Sequence, residues 1–239
     1  MEQLKYTLGP FELFAAIIGG SPFVLAGILL YNPVKTLAEL VPLIQQSGTI
    51  AIALTILFLS YILGGTVQGL TWRYFLGLCS LFKKDYLFLG EQIPQRYQAL
   101  QPQTIGDDVS HLDFNDRLVL QLSKHIGIPK KLDWMNSRLR AYLRERNSPA
   151  VAVAESFIAS HIMYRNLSLG CLVLGVVSCV NAIRLGSLAP LLIVPFLGYG
   201  AYLLFWQSVS FKKWQNRELI LGFYFASIKE HPPEQSENP

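Results

Sequence analysis

A chain of 239 residues is long enough for one or two domains, but 51% of it is hydrophobic and only 15% is charged, against roughly 25% charged in soluble domains. Three cysteines exclude a disulfide framework. No nucleic-acid-binding module is recognisable, so no nucleic acid is expected as a partner.

Four stretches carry no Asp, Glu, Lys, Arg or His: 13–30, 40–72, 166–183 and 185–211. The first and third are eighteen residues long, and such a helix rises about 27 Å, near the roughly 30 Å of bilayer hydrocarbon. The expected fold is therefore an all-α integral membrane protein, with four transmembrane helices and a helical cytosolic insertion between helices 2 and 3. A first hairpin fills 1–72, with spans at about 11–31 and 48–71 and an interfacial loop at 32–47. The leading "MEQLKYTLGPFELFAAIIGG" has no basic n-region and places Glu12 at the head of the apolar run. It reads as a retained span and not as a cleaved signal.

The first span contains "GGSPF", with Ser21 and Pro22 in its middle. Such a sequence can break a helix and free carbonyls for an ion, although Gly and Pro are also frequent in spans. In the second span, Gly65 and Gly69 frame a G-x-x-x-G that permits close helix packing. Trp72 and Tyr74 mark its inner edge, as Trp206 and Trp214 mark that of the fourth span. Polar residues within the apolar stretches (Ser21, Thr55, Ser60, Thr66, Gln68, Ser178, Asn181) either line a pore or bond between helices.

Residues 73–160 form the expected cytosolic region. Its first part continues the second helix or lies along the membrane. The stretch 94–112 holds Pro94, Pro102 and Gly106 and reads as loop. In it and just past its end, Asp107, Asp108, His111 and Asp113 are spaced so that they could ligate a divalent cation, but they match no metal motif and suit loops and caps equally. Neither a metal nor another cofactor is expected. A short helix follows, ended by Gly127 and Pro129. Next, Leu132, Met135, Leu139, Tyr142 and Leu143 recur at helical steps, and 130–146 holds six basic and two acidic residues. Lys130, Lys131, Arg138, Arg140 and Arg144 could meet anionic headgroups, or the apolar face could pack within a small bundle. Ser148 and Pro149 start a helix that runs unbroken into the third span. That helix begins with Ala150, Ala152 and Ala154, small enough for close packing.

The second hairpin is expected at 161–211, with spans at about 165–184 and 188–208, and a cytosolic C-terminal helix and tail at 212–239. His161 and Arg165 share a helix face. No Asp, Glu or Cys stands three or four positions from His161, so no dyad or metal pair is completed. Arg165 and Arg184 bracket the third span, and each can extend its stem to place its charge at an interface. On this reading Arg165 is a boundary anchor and His161 its interfacial neighbour. Glu12, Arg73 and Arg165 should share the depth of the inner interface, with Glu12 paired to one of the arginines.

With four spans, eighteen of the twenty Lys and Arg residues fall on the side of the termini and of 73–160. That side is expected to be cytoplasmic. No Walker loop, nucleophile elbow, kinase set or dinucleotide fingerprint is present, and an enzyme is not expected. The function expected is a homo-oligomeric membrane channel or pore-like effector with a cytosolic vestibule or sensing region. The alternative is a membrane-anchored scaffold or assembly factor that binds a protein partner through 73–160.

Overall fold

The structure, a computed structural model, describes residues 10–34, 39, 50–88, 92–100, 112–128 and 133–230. Among them are eight α-helices: α1 Pro10–Tyr31, α2 Ile50–Thr66, α3 Gln68–Leu81, α4 Gln92–Leu100, α5 Phe114–His125, α6 Asp133–Glu145, α7 Ala150–Leu185 and α8 Val194–Glu230. Helices α1, α7 and α8 are long and apolar enough to cross a membrane. Helices α2 and α3 meet that test together as one span bent by 53°. The described residues thus hold three candidate spans, or four if the bent pair counts as one.

The described chain forms two compact units. One comprises the described residues of 1–84 and 158–211, the other those of 85–157 and 212–239.

In the first unit α1 is one continuous helix through Pro22, so "GGSPF" does not break it. A proline in mid-helix leaves the carbonyl four residues back without its donor. That carbonyl belongs to Ile18, and the Ser21 hydroxyl donates to it at 2.8 Å. In a span every backbone group needs such a partner, and the residue beside the proline supplies one. The proline ring seats against Gly170, where an added Cβ would lie 2.7 Å from the Pro22 Cβ.

Helices α1 and α2 cross backbone to backbone. A Cβ on Gly20 would collide with the Ser60 carbonyl, and one on Gly64 with the Ala16 carbonyl. The expected glycines, Gly65 and Gly69, take no part: nothing lies within 4 Å of a Cβ placed on either, and both are exposed. The contact is set by the neighbouring residue, Gly64, about 100° around the helix from Gly65. Helix α7 ends at Gly186, in the left-handed region (φ +59), where Ser187 N donates to Ala182 O at 3.1 Å, a glycine-closed helix end.

The second unit has its own core. Leu118, Val119 and Leu122 of α5 meet Met135, Leu139 and Leu143 of α6, together with Leu219, Ile220 and Phe223 of α8. The apolar face of the basic helix is therefore spent on this core and not laid on a membrane. Two of its arginines have partners within the protein: Arg138 Nη1 donates to Ile126 O at 2.9 Å, and Arg144 pairs with Glu155 at 2.6 Å. Ala154 is buried in the same core. The stretch read as loop contains α4. Pro94 sits in its first turn, where no backbone donor is required, and its buried residues, Ile93 and Leu100, are seven apart, or two turns. Two apolar anchors among polar residues are too few for a periodic signal. Helix α5 follows the reading closely: Asp113 Oδ1 accepts from Phe114 N at 2.7 Å as its cap, and Gly127 (φ +70) closes it.

Candidate functional site: a buried arginine at the bend of a span

The bend between α2 and α3 falls at Val67. Val67 is bonded to the helix on either side, its N donating to Leu63 O at 3.0 Å and its O accepting from Thr71 N at 2.9 Å. A bend this sharp opens the carbonyl ladder, and α7 fills the gap from the side. Asn166 Nδ2 donates to Gly64 O at 3.1 Å, on the α2 side of the bend. Arg165 Nη2 reaches Gln68 O at 3.4 Å, on the α3 side. Between them stands Thr71. Its hydroxyl accepts from Arg165 Nε at 3.1 Å and donates to Asn166 Oδ1 at 2.8 Å.

The network continues into α8. Arg165 Nη1 lies 3.3 Å from His161 Nε2, and His161 Nδ1 lies 3.0 Å from Ser208 O and 2.9 Å from Ser208 Oγ. A guanidinium can only donate, so Nε2 is the acceptor and the ring proton is on Nδ1. This tautomer is inferred from the partners. The imidazole then donates to Ser208, whose own hydroxyl donates back to His161 O at 3.2 Å. Aromatic rings close the surroundings: the Phe75 ring lies 4.8 Å from the imidazole, edge-on, and Trp72 lies 5.3 Å from the Arg165 guanidinium. One helical turn away the Tyr74 hydroxyl meets Ser168 Oγ at 2.8 Å, and Ser168 donates to Ala201 O.

Burial overturns the expected roles of the arginine and histidine. Arg165 is 6% exposed and His161 1%. Arg165 does not extend its stem to an interface, because carbonyl and hydroxyl acceptors are closer at hand inside the unit. The expected pairing of Glu12 is also absent. Among the described residues no carboxylate comes within ion-pair distance of Arg165, whose contacts are to Thr71, Gln68, His161 and Trp72. Glu12 instead lines a cleft of about 380 Å³ together with Ala16, Tyr61, Thr66, Gln68 and Ile162, and Arg73 is exposed.

Several other polar residues of the spans bond to backbone carbonyls within the chain. Thr55 donates to Ala51 O and Thr66 to Leu63 O. Asn181 Nδ2 donates to Leu29 O at 2.9 Å, and Arg184 Nη1 to Leu30 O at 2.6 Å, so both hold the far end of α7 to the end of α1. Among the described residues no group of three or more His, Cys, Asp or Glu side chains could hold a metal. Asp107, Asp108, His111, Lys130 and Lys131 lie outside the described residues.

Sequence reasoning placed His161 and Arg165 on one face but missed Thr71, Asn166 and Ser208. Asn166 had a signal: an amide directly after the arginine, opening an eighteen-residue apolar run. Compared with known proteins, the chain matches no family model, no curated protein and no solved structure.

Proposed function

We propose that this chain is the subunit of a homo-oligomeric membrane channel, in which the bent second span is the moving part and the Arg165 network holds it in one of two arrangements. The observation that carries this reading is a buried guanidinium hydrogen-bonded across a helix break. A passive anchor needs only aliphatic faces. Burying an ion costs several kcal/mol, and ionisable groups within spans are typical of conduction paths, relays and sensors. Broken helices are where membrane proteins offer backbone groups to ions. Four spans enclose too little for a water path, so conduction requires a ring of copies, the usual closure of a repeated heterologous contact.

The test is ion flux from vesicles reconstituted with the full chain. Halide or potassium release is expected, with Arg165→Leu changing its rate at least tenfold at equal protein incorporation. Vesicles that remain tight to both ions would overturn the channel reading.

Orientation belongs to the same proposal: termini and residues 85–157 cytoplasmic, on the loop-charge argument. With Cys79, Cys171 and Cys179 replaced by serine, a cysteine at Gln98 should be shielded from an impermeant thiol reagent in intact cells, and one at Asn32 should react. The same sidedness at both positions contradicts the orientation.

A second reading, a membrane-anchored scaffold binding a protein partner through the second unit, has its own support. The exposed side of α2 is apolar, with Leu54 60% and Phe58 63% exposed, and the hydroxyls of Ser21, Thr55 and Thr66 bond to their own helices. On this reading the vesicles stay tight, and cross-linking in cells captures a partner through exposed residues of α6.

A further inference from the structure

We propose that the cleft between α1, α2 and α7 is a binding site for a primary ammonium group carried on an aliphatic body. The proposal concerns an occupant of the first unit and stands whether or not the chain conducts.

The cleft holds about 380 Å³, within the roughly 300–1,000 Å³ of small-ligand sites. Small residues keep it open. Gly65 lines it, and nothing lies within 4 Å of a Cβ placed there. Alanines line it on α1 and on α7, where larger side chains would close it. Ile62 and Ile162 give it aliphatic walls, so an alkyl chain inside it leaves water.

The polar part of the lining sets the charge of the occupant. Glu12 is exposed, stands in the first turn of α1 and lines the cleft. None of the ion pairs among the described residues involves it, and no Lys, Arg or His among them lines the cleft. The other polar groups are acceptors or can accept. Thr66 Oγ1 gives its proton to Leu63 O at 3.2 Å, which leaves it only lone pairs to offer. Tyr61 and Gln68 add a phenol oxygen and an amide oxygen. A carboxylate among neutral acceptors suits a primary ammonium, a compact cation with three donors and no acceptor. An anion would meet Glu12 with like charge, and a fully methylated ammonium has no N–H to donate. The cleft also reaches the bend, because Gln68 is the first residue of α3 and its backbone oxygen accepts from Arg165.

Two sources carry this chemistry, an amine-headed lipid of the bilayer and a free alkylamine. The experiment measures binding of radiolabelled octylamine to the full-length protein in phosphatidylcholine nanodiscs, with empty nanodiscs subtracted. At about pH 7 an alkylamine is protonated, as a lysine is. One saturable site per chain is expected, with no competition from octanol. Glu12→Gln keeps the shape and removes the charge, and should weaken binding at least tenfold, the scale of a hydrogen bond to a charged group. Gly65→Leu fills the cleft and should abolish binding while the protein melts as the parent does. If either variant fails to fold, the other decides. Replacing phosphatidylcholine by phosphatidylethanolamine then separates the sources. A tenfold or greater loss of apparent affinity for octylamine assigns the cleft to the lipid headgroup, and an unchanged affinity assigns it to a free amine. The proposal is overturned by the lack of a saturable site in the parent protein, by binding of parental strength in either variant, or by equal competition from octanol.

Discussion

At the scale of single residues, Asn166 shows how a short amide serves two helices at once. Its Nδ2 donates to Gly64 O and its Oδ1 accepts from Thr71, and it is fully buried. Replacing it by leucine takes the side-chain donor from the Gly64 carbonyl and one acceptor from the Thr71 hydroxyl, and leaving a buried polar group unpaired costs roughly 1–3 kcal/mol. Asn166→Leu should therefore lower the melting temperature in detergent well beyond the effect of Leu167→Asn, a polar change at a half-buried neighbour. Equal melting for Asn166→Leu and the parent would show that the bend does not depend on that amide. How much of this could be read beforehand follows from sequence distance. His161 and Arg165 are four apart, and helical geometry alone puts them side by side. Thr71 and Ser208 lie in other helices, and no local pattern says which way those helices are rotated. The expectation that an arginine beside an apolar run reaches for water failed because it weighed the length of the side chain and not the acceptors that tertiary packing brings to it.

At the scale of elements, the helices were legible wherever periodicity or the lack of charge is strong: α1, α7, the apolar part of α8, and the amphipathic α5 and α6. The bend at Val67 was not, since no proline marks it and Gly64, Gly65 and Gly69 are common enough in spans. The glycine pattern also misled, for a G-x-x-x-G identifies a face that permits close approach but not the neighbour that uses it. The glycines that touch another backbone are Gly20 and Gly64. Gly20→Val should push α1 from α2 and cost at least the roughly 1–3 kcal/mol of an overpacked core, because the obstacle is a main-chain carbonyl and not a side chain that can rotate. Gly65→Leu, with open space around it, should leave the melting of the protomer within about 0.5 kcal/mol, the range of surface changes. A thermal melt of both variants checks the pair, and the reverse ranking would mean that α1 and α2 cross elsewhere.

At the scale of the whole molecule, the low charge and the four uncharged stretches were enough to anticipate a multi-pass helical membrane protein, and the helices fit that description. Division into two units was less legible, because α7 and α8 each contribute residues to both. Their apolar pattern gives way to a mixed one with no proline, glycine turn or linker to mark the change. Within the protomer Thr71, His161, Arg165, Asn166 and Ser208 are bonded to one another, and the outward faces of α2 and α8 are rich in Leu, Ile, Phe and Tyr. Such faces suit lipid or another copy equally well, and self-association separates the two. The channel account requires a ring. The most direct measurement is therefore the mass of the intact particle extracted in native lipid without detergent exchange. The account predicts a discrete multiple of the 26.8 kDa chain large enough to close around a pore. A particle of one chain in native lipid would contradict it and leave the membrane-anchored scaffold in its place.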